Sequence, residues 1–183
     1  MSYNILNRSI YLDAGLDVFK AAVAQSIAVS SPVKFTSHDT AKSHNTFVNQ
    51  TGELEAFTTG TNEYRIVVPN DSHTYYMYAA LDFSNQSGTI TSNDYYRFSF
   101  YDVTASQNLG FAGTRILSYN QLIGQAGGVV SDELAKVVVQ GPKTIEIRIT
   151  EMPGILPTKV DVSANASSYP TIVSSSRLFI WKL

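Results

Sequence analysis

Apolar and polar residues alternate with a period of two along most of the chain, which predicts strands nearly throughout. In residues 143–150, Ile145, Ile147 and Ile149 fall on one side. Thr144, Glu146, Arg148 and Thr150 fall on the other. In residues 75–83, Tyr75, Met77, Ala79, Leu81 and Phe83 share one face, while Tyr76, Tyr78 and Asp82 share the opposite one. Residues 95–103 turn Tyr96, Phe98 and Phe100 inward and leave Arg97, Ser99 and Asp102 outward or flanking. Shorter strands are predicted over 64–68, 134–139 and 27–35, where Pro32 implies an edge or a bend. Gln50-Thr51-Gly52 reads as a hairpin turn between 46–48 and 54–57, and Gly141-Pro142 turns the chain before the isoleucine strand. The one helical signal covers 16–24, with Asp13 as a cap and Leu16, Phe19, Ala22 and Val23 on one side. About eight to ten short strands joined by short turns predict a single all-β sandwich or barrel.

The segment Ser176-Arg177-Leu178-Phe179-Ile180-Trp181-Lys182-Leu183 departs from this alternation, because it is apolar on both sides. Phe179, Trp181 and Leu183 point one way, and Leu178 and Ile180 the other. An antiparallel strand of a single sandwich needs only one apolar face. Two such faces predict a strand with a core on one side and a partner subunit on the other. Residues 1–26 precede the strong strand signals and are expected to be either an anchor or an extra segment packed on the domain at 27–183.

Composition sharpens the expectation of assembly. Charged residues are 15%, against roughly 25% for a typical soluble domain. Tyr (11) and Phe (9) are plentiful, so the surface suits packing against copies or partners. The net charge is −2 and the 13 Lys and Arg are scattered, so no basic footprint for nucleic acid is expected. The absence of Cys excludes disulfides and thiolate chemistry. No run approaches the ~20 apolar residues that span a bilayer, so no membrane insertion is expected. Residues 1–20 lack a basic start followed by an apolar core, which predicts no secretory signal.

Candidate chemistry is sparse. His38, Asp39 and His44 have no helical metal-ligand spacing and read as a solvated loop. With 3 His and no Gly-x-Ser-x-Gly elbow, a Ser-His-Asp triad has few options. Glu53 with Glu55, and Asp132 with Glu133, read as surface carboxylates, not as a glycosidase pair. Asn93, Asp94 and Asp71 offer oxygen ligands in no calcium-loop spacing. No catalytic residue, metal or cofactor is therefore expected, and the chain is not expected to be an enzyme. Asn93, Asp94, Tyr119 and Tyr169 are the candidates for outward-loop contact with a ligand or partner.

The order of these segments resembles the C1q/TNF-like jelly roll, in the versions found in bacteriophage spikes, head fibres and receptor-binding proteins. The resemblance rests on an early strand (27–35), Asn49-Gln50-Thr51-Gly52-Glu53-Leu54, and the Pro69-Asn70-Asp71 turn before Tyr75-Tyr76-Met77-Tyr78. It continues with the Gly-Pro turn at 141–142 and a Ser-rich lead into the terminal strand. The family often has Gly where this chain has Pro69-Asn70-Asp71, and there is no collagen-like repeat. The resemblance implies a single-domain jelly-roll β-sandwich that forms a homotrimer, with aromatics packed between subunits. Tyr76, Tyr78, Leu178, Phe179, Ile180, Trp181 and Leu183 are the expected interface. It further implies a virion surface protein made in the host cytoplasm. The N-terminal segment would meet other capsid or fibre proteins, and the loops a host-cell glycan or protein. A carbohydrate-binding module or lectin-like sandwich is the alternative, and a depolymerase fragment a third.

Overall fold

The long period-two segments become strands, and among the described residues every pairing between strands is antiparallel. The computed structural model describes residues 15–20, 25–27, 29–35, 37–81, 83–84, 94–117, 129–151, 160–162 and 176–183. In chain order the strands are β1 (Gly15–Lys20), β2 (Gln25–Ile27), β3 (Ser37–His38), β4 (Glu55–Ala56), β5 (Ile66–Val68), β6 (Tyr75–Ala80) and β7 (Phe83–Ser84). They continue with β8 (Asp94–Asp102), β9 (Gln107–Leu117), β10 (Val129–Glu133), β11 (Ala135–Val139), β12 (Lys143–Glu151), β13 (Val160–Val162) and β14 (Arg177–Lys182).

One hydrogen-bonded path runs β3-β1-β14-β6-β11-β9-β8-β12-β5-β4, with β10 added beside β9. It curls into two halves, β3-β1-β14-β6-β11 and β9-β8-β12-β5-β4. They meet where Lys136 of β11 pairs with Phe111 of β9. The inward faces of the halves share one buried core. Phe19, Tyr75, Met77, Ala79, Val137, Leu178 and Ile180 come from the first half. Ile66, Val68, Phe98, Phe100, Ile145, Ile147 and Ile149 come from the second. The inward sets expected on β6 and β12 are buried, with Leu81 just beyond β6, because a strand sends alternate side chains to one face. β2, β13 and β7 form a separate small sheet.

Residues 16–20 are strand, and this corrects the helix expected at 16–24. β1 lies between β3 and β14, with Leu16 opposite Trp181 and Phe19 opposite Leu178. The spacing of Leu16 and Phe19 fits a helix face, but β14 supplies a full ladder of partners. Tertiary pairing overrides a weak local preference. A turn forms at 50–52, but the expected hairpin does not: 46–48 is not strand, and β4 pairs with β5 instead. The turn is held by Asn49, whose amide side chain accepts from Ala56 N (2.8 Å) and donates to Ala56 O (3.0 Å). Pro32 sits beside β12 at an isolated bridge to Arg148, flanked by Ser30 N and Val33 N donating to Ile149 O and Ile147 O.

β9 was not expected, because Gly110 and Gly113 interrupt its pattern. Both glycines are required where β9 turns from β8 to β11. A Cβ on Gly113 would lie 2.3 Å from the Phe98 ring. Gly110 has φ +66 and runs close against the Lys136 carbonyl.

Candidate functional site

Directly paired residues on adjacent strands share a face. The outer face of β1-β14-β6-β11 therefore carries two transverse rows. One is Leu16, Trp181, Tyr76 and Val138; the other is Val18, Phe179, Tyr78 and Lys136. The four rings at their centre form one stack. Tyr78 and Phe179 lie 4.2 Å apart at 26°, and Tyr78 and Trp181 lie 5.0 Å apart. Tyr76 lies 5.5 Å from Trp181, and Phe179 and Trp181 are nearly parallel at 13°. Such offset pairs fix one another's rotamers and build a rigid apolar plate. Burial pushes the Tyr78 hydroxyl above its ordinary pKa, with Tyr76 beside it adding to the effect.

Beyond the rings, one row ends in Lys136 and the other in an apolar residue. Val138 is 63% exposed at one end of its row. Phe111, paired to Lys136, is 77% exposed, and Leu183, just past β14, is 57% exposed. These are three of the four large apolar side chains left in solvent among the described residues, the fourth being Val29. Clustered exposed apolar groups mark an interaction surface, whereas scattered ones need no explanation.

The residues expected at an interface divide by strand parity. Tyr76, Tyr78, Phe179 and Trp181 come together in the plate. Leu178 and Ile180 are fully buried in the chain's own core, so they offer a partner no surface. Leu16, Val138 and Phe111 join or flank the plate and were missed. Val138 was legible from its alternation with Val137, whereas Phe111 was hidden by the glycines around it. Of the expected loop contacts, Asp94 opens β8 opposite Leu117, and Asn93, Tyr119 and Tyr169 lie outside the described residues.

Among the described residues, eleven strands lie in two facing halves, with β14 between β1 and β6, and this makes a distinctive order. No protein-family model matches the chain, and no curated protein matches it. Solved structures do. The Eiger TNF from S. frugiperda matches with a TM-score of 0.52 and 9% sequence identity, over 93% of this chain and 91% of that one. The fold is a TNF-like jelly roll.

Within this jelly roll the other polar clusters tie loops to strands. Asp17 is fully buried on β1 and accepts from Phe47 N (2.8 Å) and Val48 N (2.9 Å). His38 Nε2 approaches Asp17 Oδ1 at 2.6 Å, and its ring stacks on Phe19. Ser43 Oγ lies 2.9 Å from the same Nε2. A catalytic relay needs Ser and Asp on different ring nitrogens, so this trio is not arranged as one. Instead it fastens the 38–48 loop to β1, and the loop expected to be simply solvated is partly docked. Asp71 accepts from the Tyr75 hydroxyl (2.9 Å) and lies 3.1 Å from His73 Nδ1. Burial, with Asp71 as partner, pushes the Tyr75 hydroxyl far up in pKa. Glu53 pairs with Lys182. Among the described residues no group of three or more His, Cys, Asp or Glu could hold a metal ion, and no helix is long and apolar enough to cross a membrane.

Proposed function

We propose that this chain is a non-enzymatic, homotrimeric jelly-roll protein of a virion surface, working by assembly and host attachment. The observation that carries the reading is the aromatic plate of Tyr76, Tyr78, Phe179 and Trp181, extended by Leu16 and Val138. A plate on an otherwise finished sheet favours burial against copies of itself, at roughly 25 cal/mol per Å² of apolar area covered. Closed symmetric assembly is the default for homo-oligomers. The TNF-like fold supports three-fold closure about this sheet, and the phage-like order of sequence segments supports the virion setting. Residues ahead of β1 would meet other capsid or fibre proteins. Surfaces away from the plate, repeated three times, would hold weak host-surface ligands through avidity.

Light scattering on the purified chain tests the assembly. A mass three times 20.1 kDa is expected. A 20.1 kDa particle would overturn it, leaving the plate free to stack on sugar rings as in a carbohydrate-binding module.

A further inference from the structure

The outer face of the second half is built differently. Glu146 on β12 was expected to point into solvent, yet it is only 5% exposed. Its carboxylate takes two guanidiniums. Arg65 Nε donates to Oε1 at 3.0 Å, while Arg148 donates to Oε2 through Nε at 2.8 Å and reaches it with Nη2 at 2.7 Å. Arg148 also lies flat over the Tyr101 ring, with Cζ 3.7 Å from its centre. Tyr101 pairs with Glu146 on one side and with exposed Asn108 on the other. Nearby, Lys34 lies over the Tyr64 ring at 5.4 Å.

Burying a carboxylate on a sheet's outer face is costly unless it is well paired, and a hydrophobic residue would often be as stable. What Glu146 adds is position: it fixes the planes of two arginines. One carboxylate between two guanidiniums leaves one positive charge in excess. Of the nearby acids, Glu151 is paired with Arg97 and Glu63 with Lys34, while exposed Glu55 shares this face through Val67 and Thr144, so the positive charge is local to the two guanidiniums. Both guanidiniums still meet solvent, Arg65 with 34% of its side chain and Arg148 with 23%.

We propose that Arg65, Arg148 and Tyr101 form a binding site for a carboxylated sugar, a uronic-acid unit of a polysaccharide. Guanidinium forks match carboxylates in plane and in charge. The Arg148 guanidinium covers one face of the Tyr101 ring, and the stacked pair holds a flat guanidinium plane against which a pyranose ring can lie. Asn108 beside Tyr101 supplies neutral hydrogen bonds for hydroxyls. The site lies on the half of the sandwich opposite the aromatic plate, so it does not depend on trimer formation.

Affinity electrophoresis through gels holding polygalacturonate or dextran tests this. Retardation by polygalacturonate and not by dextran is expected, and it should weaken as salt rises. Arg65→Lys keeps the charge but loses the fork, and Tyr101→Ala loses the platform. Each should weaken polygalacturonate retardation about tenfold, the size of one lost charge-assisted contact, while the variant's unfolding temperature shows that it is folded. Retardation by neither polymer, equal retardation by both, or folded variants that bind like the parent would overturn the site. Light scattering on the same samples separates this result from a failure of trimerisation.

Discussion

Asp17 has no exposure to water, yet two backbone N–H groups and a histidine depend on it. An Asp17→Ala variant leaves Phe47 N and Val48 N buried without an acceptor, at about 1–3 kcal/mol each. Chemical denaturation should therefore show a loss of about 2–5 kcal/mol. Asp102 gives a prediction in pH. The Lys143 ammonium bonded to it holds its carboxyl below the usual carboxylate range, helped by backbone N–H groups of Ala105 and Thr104. A depressed carboxyl stabilises the folded state above the unfolded pKa, and that stability is lost as pH falls through the folded value. The stability gap between parent and Asp102→Asn should be full above about pH 5 and shrink below about pH 4. Thermal melts across that range measure it. Neither burial was legible beforehand. Ser99 and Glu146 sit at outward positions of alternating strands and Asp102 at an inward one opposite Ile145, and only residues far along the chain, such as Arg65 for Glu146 and Lys143 for Asp102, explain how they are covered and paired.

At the scale of elements, β6 and β12 could be read directly because their alternation is unbroken and one face meets a core. β1 could not. Leu16 and Phe19 suit a helix or a strand, and β14, the element that decides between them, is distant in sequence. β9 was hidden for the opposite reason: Gly110 and Gly113 erase its pattern while meeting a steric need at the corner between the halves. A Gly113→Ala variant would press on the buried Phe98 ring and the Ala135 backbone. It should lose about 1–3 kcal/mol, as overpacked sites do, with the far-ultraviolet spectrum of the native strands retained. The aromatic plate was half legible. Parity separated Phe179 and Trp181 from Leu178 and Ile180, but Leu16 and Phe111 join the surface only through pairings that no local pattern reveals.

For the whole molecule, assembly and stability are expected to be coupled. Truncation of a large aromatic in a packed site costs ~3–5 kcal/mol. Trp181→Ala should thus dissociate the trimer or lower its unfolding temperature markedly, whereas Val29→Ala, a change at the exposed valine outside the plate, should do neither. A Trp181→Ala protein that remains an equally heat-stable trimer would remove the plate from the interface. The order of strands carries one more consequence. β14 is the slat between β1 and β6, so a nascent chain on the ribosome cannot finish this sheet until residues 177–182 have emerged. Until then β1 and β6 each present an unpaired edge, and the rings of Tyr76 and Tyr78 lack their stacking partners. A translation product stalled before β14 would hold most of the residues of the domain and none of its closure, which makes it a natural target for chaperones and proteases.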